Sequence, residues 1–421
     1  MTTSIRINEH KMWRIVFLIL LIFPFIQQRS YGDLPRIIGT AYRLGTLASG
    51  IVMAGLLAFR VKYLKGKKYL IPFCIYFMLY LLTTAISNPS EIVRTAYYIF
   101  VQWMFVLFLA YEAERDINEL LTALSVIYGT FIVLNFLTDV AFPGGLYNTG
   151  NYHTGHLLGD DNALIFVMLP GVICLFCYSI QMFGKIKWYI WTIALICAVS
   201  LIRAWAASAM VCMTLFIAAV FFAQGKKFRV RIAPFFLFGV FVFAFVVCFF
   251  GLSNPTVQSF IVDVLQKDIT LSGRTILWRR ALEIISRHLL FGCGGYWHFG
   301  SFWYNGREYP CHTGYLQVLL DGGIVLLTPV VVYLVNAYRK VKDVNGNLCS
   351  YVLATGLSFM LINYITEYSQ FWHLFIVLVF IYESGHFRND GAIRQKSRVK
   401  VLEHIITIVY CLQDDEEAES E

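Results

Sequence analysis

The chain has 421 residues, 58% hydrophobic and only 14% charged, with a formal net charge of +8. Soluble domains carry about 25% charged residues, so this composition excludes a soluble globular protein and marks an integral membrane protein. Basic residues fall in short clusters at the ends of apolar runs, which makes them topology signals; no nucleic-acid partner is expected.

The apolar runs are apolar throughout and lack the alternation of a barrel strand, so they read as helices of about 20 residues that satisfy their own backbone groups in lipid. Spans are predicted at roughly 15–27, 37–59, 69–87, 95–111, 120–138, 162–183, 187–202, 206–224, 232–252, 315–338, 348–366 and 370–385, an all-α polytopic fold of about twelve helices. The first run follows Lys11 and Arg14 and has no small-residue cleavage site, so it reads as a retained span. Arg43 lies inside the second run, where a charge costs about 2.5 to 3.5 kcal/mol on insertion scales; snorkelling to water relieves that cost, and an inward partner is the alternative.

The connections 60–68, 184–187, 225–231 and 339–342 are basic, whereas Asp139 to Asp161 contains no Lys or Arg. With Lys and Arg biased to the cytoplasm, both termini are expected there. Asp160-Asp161-Asn162 opens the sixth run, where such residues commonly cap a helix. Trp188 to Gln224 divides at Arg203-Ala204-Trp205 into two helices of about 17 residues, at the low end of the spanning range.

The organisation expected is therefore 1–252 as some nine membrane helices, 253–314 as a large extracytoplasmic loop with short helices, 315–385 as three more membrane helices and 386–421 as a cytoplasmic tail. The loop carries Lys267, Arg274, Arg279, Arg280, Arg287 and Arg307, against the simple charge rule. Long loops translocate largely regardless of charge, so the exception is tolerable and suggests charges kept for a task. In the tail, His386 to Lys400 is basic, Val401 to Leu412 apolar and Asp414 to Glu421 acidic, a pattern of either disorder or a short interfacial helix.

Chemistry should concentrate in the loop, which reads Leu271-Ser272-Gly273-Arg274, Trp278, Gly292-Cys293-Gly294, His312-Thr313-Gly314-Tyr315-Leu316 and Asp321-Gly322-Gly323-Ile324. Arg279, Arg280 and Arg287 are spaced as the solvated face of an amphipathic helix from Trp278 to His288. The aromatic cluster Tyr296, Trp297, Phe299, Phe302, Trp303 and Tyr304 suits either sugar stacking or the headgroup belt. Ten cysteines lie mostly in apolar runs without metal-ligand spacing, so no metal and no cofactor is expected. Cys293 and Cys311 could pair or remain free.

The ordered set Ser-Gly-Arg, Trp, Gly-x-Gly, His-x-x-Tyr-Leu and Asp-x-Gly-Ile resembles the outer loop of the bacterial O-antigen polymerase and O-antigen ligase family. Asp160-Asp161-Asn162 and Arg203-Ala204-Trp205-Ala206 resemble two earlier features of that family. Thr313 stands where the family commonly has Asn, and Asp321 where it commonly has Glu. The resemblance implies a membrane glycosyltransferase acting at the outer face of the bacterial cytoplasmic membrane in polysaccharide, capsule or exopolysaccharide biosynthesis. Its partners would be an undecaprenyl-diphosphate-linked oligosaccharide donor, a glycan acceptor and other polysaccharide assembly proteins.

The residues suit that chemistry. A diphosphate leaves without a strong general acid, so the protein needs cations for the phosphates and a base for the acceptor hydroxyl. Arg274 and Arg203 fit the first role as guanidinium groups that fork onto phosphate oxygens; the bland alternatives are a solvated loop charge and a snorkelling helix end. His312 fits the second role, or is an ordinary interfacial histidine, and Asp321 supports another polar group. The functions expected are a repeat-unit polymerase, a ligase moving a finished glycan to a lipid, protein or wall acceptor, and, from another class, a flippase or secondary transporter. A transporter would place its polar residues near the midplane, in two related halves that the sequence does not show.

Overall fold

The computed structural model describes residues 9–26, 36–148, 154–224, 255–259, 262–263, 274–295, 311–341, 347–368 and 372–387. Its helices are α1 (Glu9–Ile26), α2 (Arg36–Ala58), α3 (Leu70–Ser87), α4 (Ile92–Ala141), α5 (Leu164–Phe183), α6 (Trp188–Arg203), α7 (Ala207–Ala223), α8 (Pro255–Ser259), α9 (Arg274–Arg287), α10 (Gly314–Lys340), α11 (Leu348–Thr366) and α12 (Trp372–Tyr382). Among the described residues six helices are long and apolar enough to cross a membrane, and α6, α7 and the stretch His373–Tyr382 are shorter apolar helices. The fold is all-α and polytopic. The predicted span 232–252, the aromatic cluster 296–304 and the tail beyond 387 lie outside the described residues; each remaining predicted span coincides with a helix or half-helix.

The half-helices belong to α4, whose 50 residues contain a non-helical Asp116 at φ −159° and ψ 93°. Phe25 stacks on Phe105 at 4.5 Å, and Phe23, two residues earlier on α1, stacks on Phe131 at 5.2 Å. In a straight helix Phe105 and Phe131 would lie about 39 Å apart, so α4 doubles back and crosses twice. Asp116 stabilises the turn by capping the second half: its Oδ1 accepts from the backbone N–H groups of Asn118 at 3.0 Å and Glu119 at 3.3 Å.

The exposed residues Ile71, Ile75, Met78, Leu82 and Ile86 of α3 recur every three or four positions, an outward apolar stripe suited to lipid. α5 is the central pillar, buried at every position from Leu164 to Cys177. The described basic connections 60–68 and 184–187 lie at the end of the bundle where α4 turns. There Arg14 pairs with Glu112 at 2.5 Å and Glu119 at 2.6 Å, and Lys67 pairs with Glu114 at 2.9 Å and with Glu383, which also accepts from Tyr69. These bonds tie α1, the α4 turn and the end of α12 together.

At the opposite end, the connection between α4 and α5 forms a small antiparallel sheet of β1 (Tyr147–Asn148), β2 (Thr154–His156) and β3 (Gly159–Asp160), in the order β1-β2-β3. No strand is expected there from the sequence, because segments of two or three residues carry no readable alternation.

Candidate active site

α9 begins at Arg274 and lays Trp278, Ala281 and Ile285 against Leu316 and Leu320 of α10, with Cys311 in the same buried cluster. Arg279, Arg280 and Arg287 fall on the exposed side of α9, and Arg280 pairs locally with Glu283. Packing of the apolar face fixes the start of α9 over the end of α11, where Arg274 Nη2 pairs with Glu367 Oε1. The Glu367 side chain is 2% exposed and that of Arg274 19%.

His312 meets the same carboxylate from the other side, its Nδ1 lying 3.7 Å from Glu367 Oε2. That separation brings the ring beside the carboxylate without a direct hydrogen bond between them. His312 is one of two non-glycine residues with positive φ among the described residues, at +54°. Such backbone is strained for a residue with a side chain and persists only when neighbours hold it. Here the neighbours do so: Cys311 donates its N–H to Gln317 Oε1 at 3.2 Å and its thiol to the Thr313 carbonyl at 3.1 Å, and Thr313 Oγ1 donates to the Tyr364 carbonyl at 3.3 Å. Burial pushes the Cys311 thiol up to about 12, so it stays protonated and able to donate. Cys293 and Cys311 are both free thiols.

Asp321 sits apart from His312 by contact. Its Oδ1 accepts from Gln317 Nε2 at 2.8 Å and its Oδ2 from the Tyr80 hydroxyl at 3.1 Å. Beside it α10 is broken at Gly323, with φ 65° and ψ −161°. The break frees the carbonyls of Leu320 and Asp321, which accept instead from Cys293 N at 2.6 Å and Gly294 N at 3.1 Å. In exchange the Ile324 and Val325 N–H groups donate to Leu289 O at 2.9 Å and Leu290 O at 3.2 Å. These four backbone groups, parted by the break, are thus re-paired across to the 289–294 segment, as burial demands. The approach is so close that a Cβ on Gly292 would stand 2.5 Å from Gly322 N, and one on Gly323 would overlap Leu290 O. The Gly-Cys-Gly and Asp-Gly-Gly motifs are therefore one backbone joint.

Arg203, the last residue of α6, lies in a second cluster at the same end of the bundle. Its Nη2 donates to the Asp139 carbonyl at 2.8 Å. The Asp139 carboxylate holds His156 Nδ1 at 2.7 Å, and Asp161 Oδ1 holds His156 Nε2 at 2.9 Å. Asn135 completes the cluster, donating to Asp139 Oδ2 at 2.8 Å and accepting from Leu158 N at 3.0 Å. Burial disfavours a charged His156, but the bonds to Asp139 and then Asp161 outweigh it and raise its pKa from 6.5 to about 9. At neutral pH it is an imidazolium between two carboxylates. Asp161 anchors β2, accepting also from Thr154 N at 3.1 Å, while Asp160 Oδ1 accepts from Ala163 N at 2.8 Å in the turn before α5, whose N-cap position is Ala163.

Of the residues singled out from the sequence, Arg274 and His312 converge on one carboxylate, Asp321 secures the joint beneath them, and Arg203 belongs to the His156 cluster. Glu367 and His156 were not among them. The available signals were a lone acid directly after an apolar span, and a histidine between acids in a stretch free of Lys and Arg.

Residues 188–331, which contain Arg203, Arg274, His312 and Asp321, match the family model described as O-antigen ligase. No curated protein matches the chain.

Proposed function

Because the segment that carries these four residues matches the family model described as O-antigen ligase, we propose that the protein is a metal-independent glycosyltransferase of the bacterial cytoplasmic membrane. It polymerises undecaprenyl-diphosphate-linked oligosaccharide repeat units into cell-surface polysaccharide at the outer face, with both termini in the cytoplasm. The observation that carries the reading is the meeting of Arg274 and His312 on the buried Glu367, at the end of the bundle opposite the Arg14 and Lys67 ion pairs. An always-charged group for a diphosphate and a base for a hydroxyl then lie side by side, where a lipid-borne phosphoester would present its reacting bond.

In this reading Glu367 faces His312 Nδ1 and favours the proton there, leaving Nε2 to accept the proton of the acceptor hydroxyl. The acceptor oxygen bonds to the anomeric carbon as the bond from that carbon to the diphosphate oxygen breaks. Negative charge gathers on the departing diphosphate, and Arg274 meets it with guanidinium N–H groups other than the one that Glu367 engages. Arg203, held by the Asp139 carbonyl in the His156 cluster, would supply a second cation for the phosphates. Asp321 acts as support, since its contacts are to Gln317 and Tyr80.

The ligase reading is favoured by the description of the matched family model, and the same groups would serve it with a different acceptor. The glycan of a deletion strain separates the two. Single repeat units remaining without chain extension identify a polymerase; long chains stranded on carrier lipid identify a ligase. Unaltered surface glycan and carrier-lipid pools would count against both. The transporter reading has less support, because it gives the Arg274, Glu367 and His312 group no task.

A further inference from the structure

We propose that Gln317 is a positioning residue for His312, acting through the backbone of Cys311 and itself aligned by Asp321 and Tyr80. This rests on the reading of His312 as the base. His312 is held at φ +54°, a conformation that costs a residue with a side chain free energy and persists where the surrounding structure holds it. One flank is fixed by Thr313 Oγ1 on the Tyr364 carbonyl at 3.3 Å. The other is fixed by Gln317, buried at 2% exposure, whose Oε1 accepts from Cys311 N at 3.2 Å.

An amide can fulfil this task in only one orientation. Turned over, Gln317 would present its NH2 group to the Cys311 N–H, donor against donor. Asp321 prevents this. Its Oδ1 accepts from Gln317 Nε2 at 2.8 Å, and its Oδ2 is occupied by the Tyr80 hydroxyl at 3.1 Å. Cys311 N thus donates to Gln317, and Gln317 and Tyr80 both donate to Asp321, so the network starts one residue from the base and converges on the carboxylate. It gives the acidic residue of the Asp-x-Gly-Ile motif a role without contact to substrate. It also explains why Gln317, four residues before Asp321 and so on the same helix face, belongs with that motif.

The chain can be rebuilt with its charge moved. Gln317→Glu and Asp321→Asn are each isosteric, and together they exchange amide and carboxylate. The carboxylate at 317 then accepts from Cys311 N and from the new amide at 321, whose oxygen accepts from Tyr80. Gln317→Glu alone sets two carboxylates against each other, and Gln317→Leu removes the acceptor altogether.

The test uses full-length protein in native membranes. It measures glycan transfer to the cell surface together with the rate at which diethyl pyrocarbonate modifies His312, referenced to the exposed His10 and His288 within the same chain. The expected result is a loss of transfer of about a hundredfold for Gln317→Leu, the scale of a small misplacement of a reacting group, with an altered His312 rate and unaltered rates at the reference histidines. Gln317→Glu should also lose transfer, and the double variant Gln317→Glu with Asp321→Asn should regain most of it. Wild-type transfer and His312 reactivity in Gln317→Leu would overturn the proposal, as would a double variant no better than Gln317→Glu. If His312→Ala transfers normally, the reading of the base fails first; if His312→Ala is inactive while the Gln317 variants are normal, only the positioning role fails.

Discussion

His312 Nδ1 lies 3.7 Å from Glu367 Oε2, the second oxygen of the carboxylate whose Oε1 is engaged by Arg274. One buried acid thus sets the distance between a permanent cation and a titratable ring, although the three residues come from the start of α9, the turn before α10 and the end of α11.

Removing that acid's charge while keeping its shape should uncouple the pair. Glu367→Gln is expected to lower transfer about a hundredfold, the scale seen when one charge-stabilising group is lost from a site. Glu367→Asp keeps the charge on a shorter stem and should retain more activity. Both are read from surface glycan at matched protein abundance, and a fully active Glu367→Gln would remove Glu367 from the site.

The joint between α10 and the 289–294 segment makes a stability prediction. Gly323 occupies a backbone region that is essentially glycine-only, so Gly323→Ala should cost about 1 to 3 kcal/mol. A lowered thermal midpoint in detergent would show this. Gly55→Ala in α2, where a Cβ would meet nothing within 4 Å, is the control and should leave the midpoint level or slightly raised.

A pH prediction follows from His156. Its folded pKa, about 9, lies above its ordinary 6.5, so the folded state binds the proton more tightly. The stabilisation is therefore complete below about pH 6.5 and is lost as pH rises through about 9. Hydrogen exchange of the 154–158 backbone, corrected for its intrinsic pH dependence, should show protection falling across that window in the wild type. His156→Gln should show low protection and no such step. A flat profile in the wild type would contradict the assignment of charge.

The spans were readable because hydrocarbon demands length and continuity of apolar side chains, a local property; 95–111 and 120–138 mark the two halves of α4 even though no loop separates them. Asp116, the residue that turns α4, lies in that gap, but a single kinked residue has no periodic signal. The joint was half legible. The sequence displays Gly292, Gly294, Asp321 and Gly323, yet their mutual hydrogen bonds are a tertiary fact. Glu367 and His156 escaped because a lone acid or histidine beside a span has several ordinary explanations, and only their partners from distant helices distinguish them.

The orientation of the site is open to labelling. Single cysteines at the exposed Arg287 and Arg60, in a background lacking the natural cysteines, should respond oppositely to an impermeant thiol reagent on intact spheroplasts. Arg287 is expected to label and Arg60 to stay protected until the membrane is opened. Labelling of Arg60 alone would place the Arg274 and His312 end inside the cell and remove it from an outer-face substrate.

The most direct measurement is glycan transfer in a deletion strain supplied with Arg274→Ala or His312→Ala, each at wild-type abundance in the membrane. The account predicts that both fail to restore surface glycan, with lipid-linked substrate accumulating behind them. Wild-type glycan from both variants would contradict it.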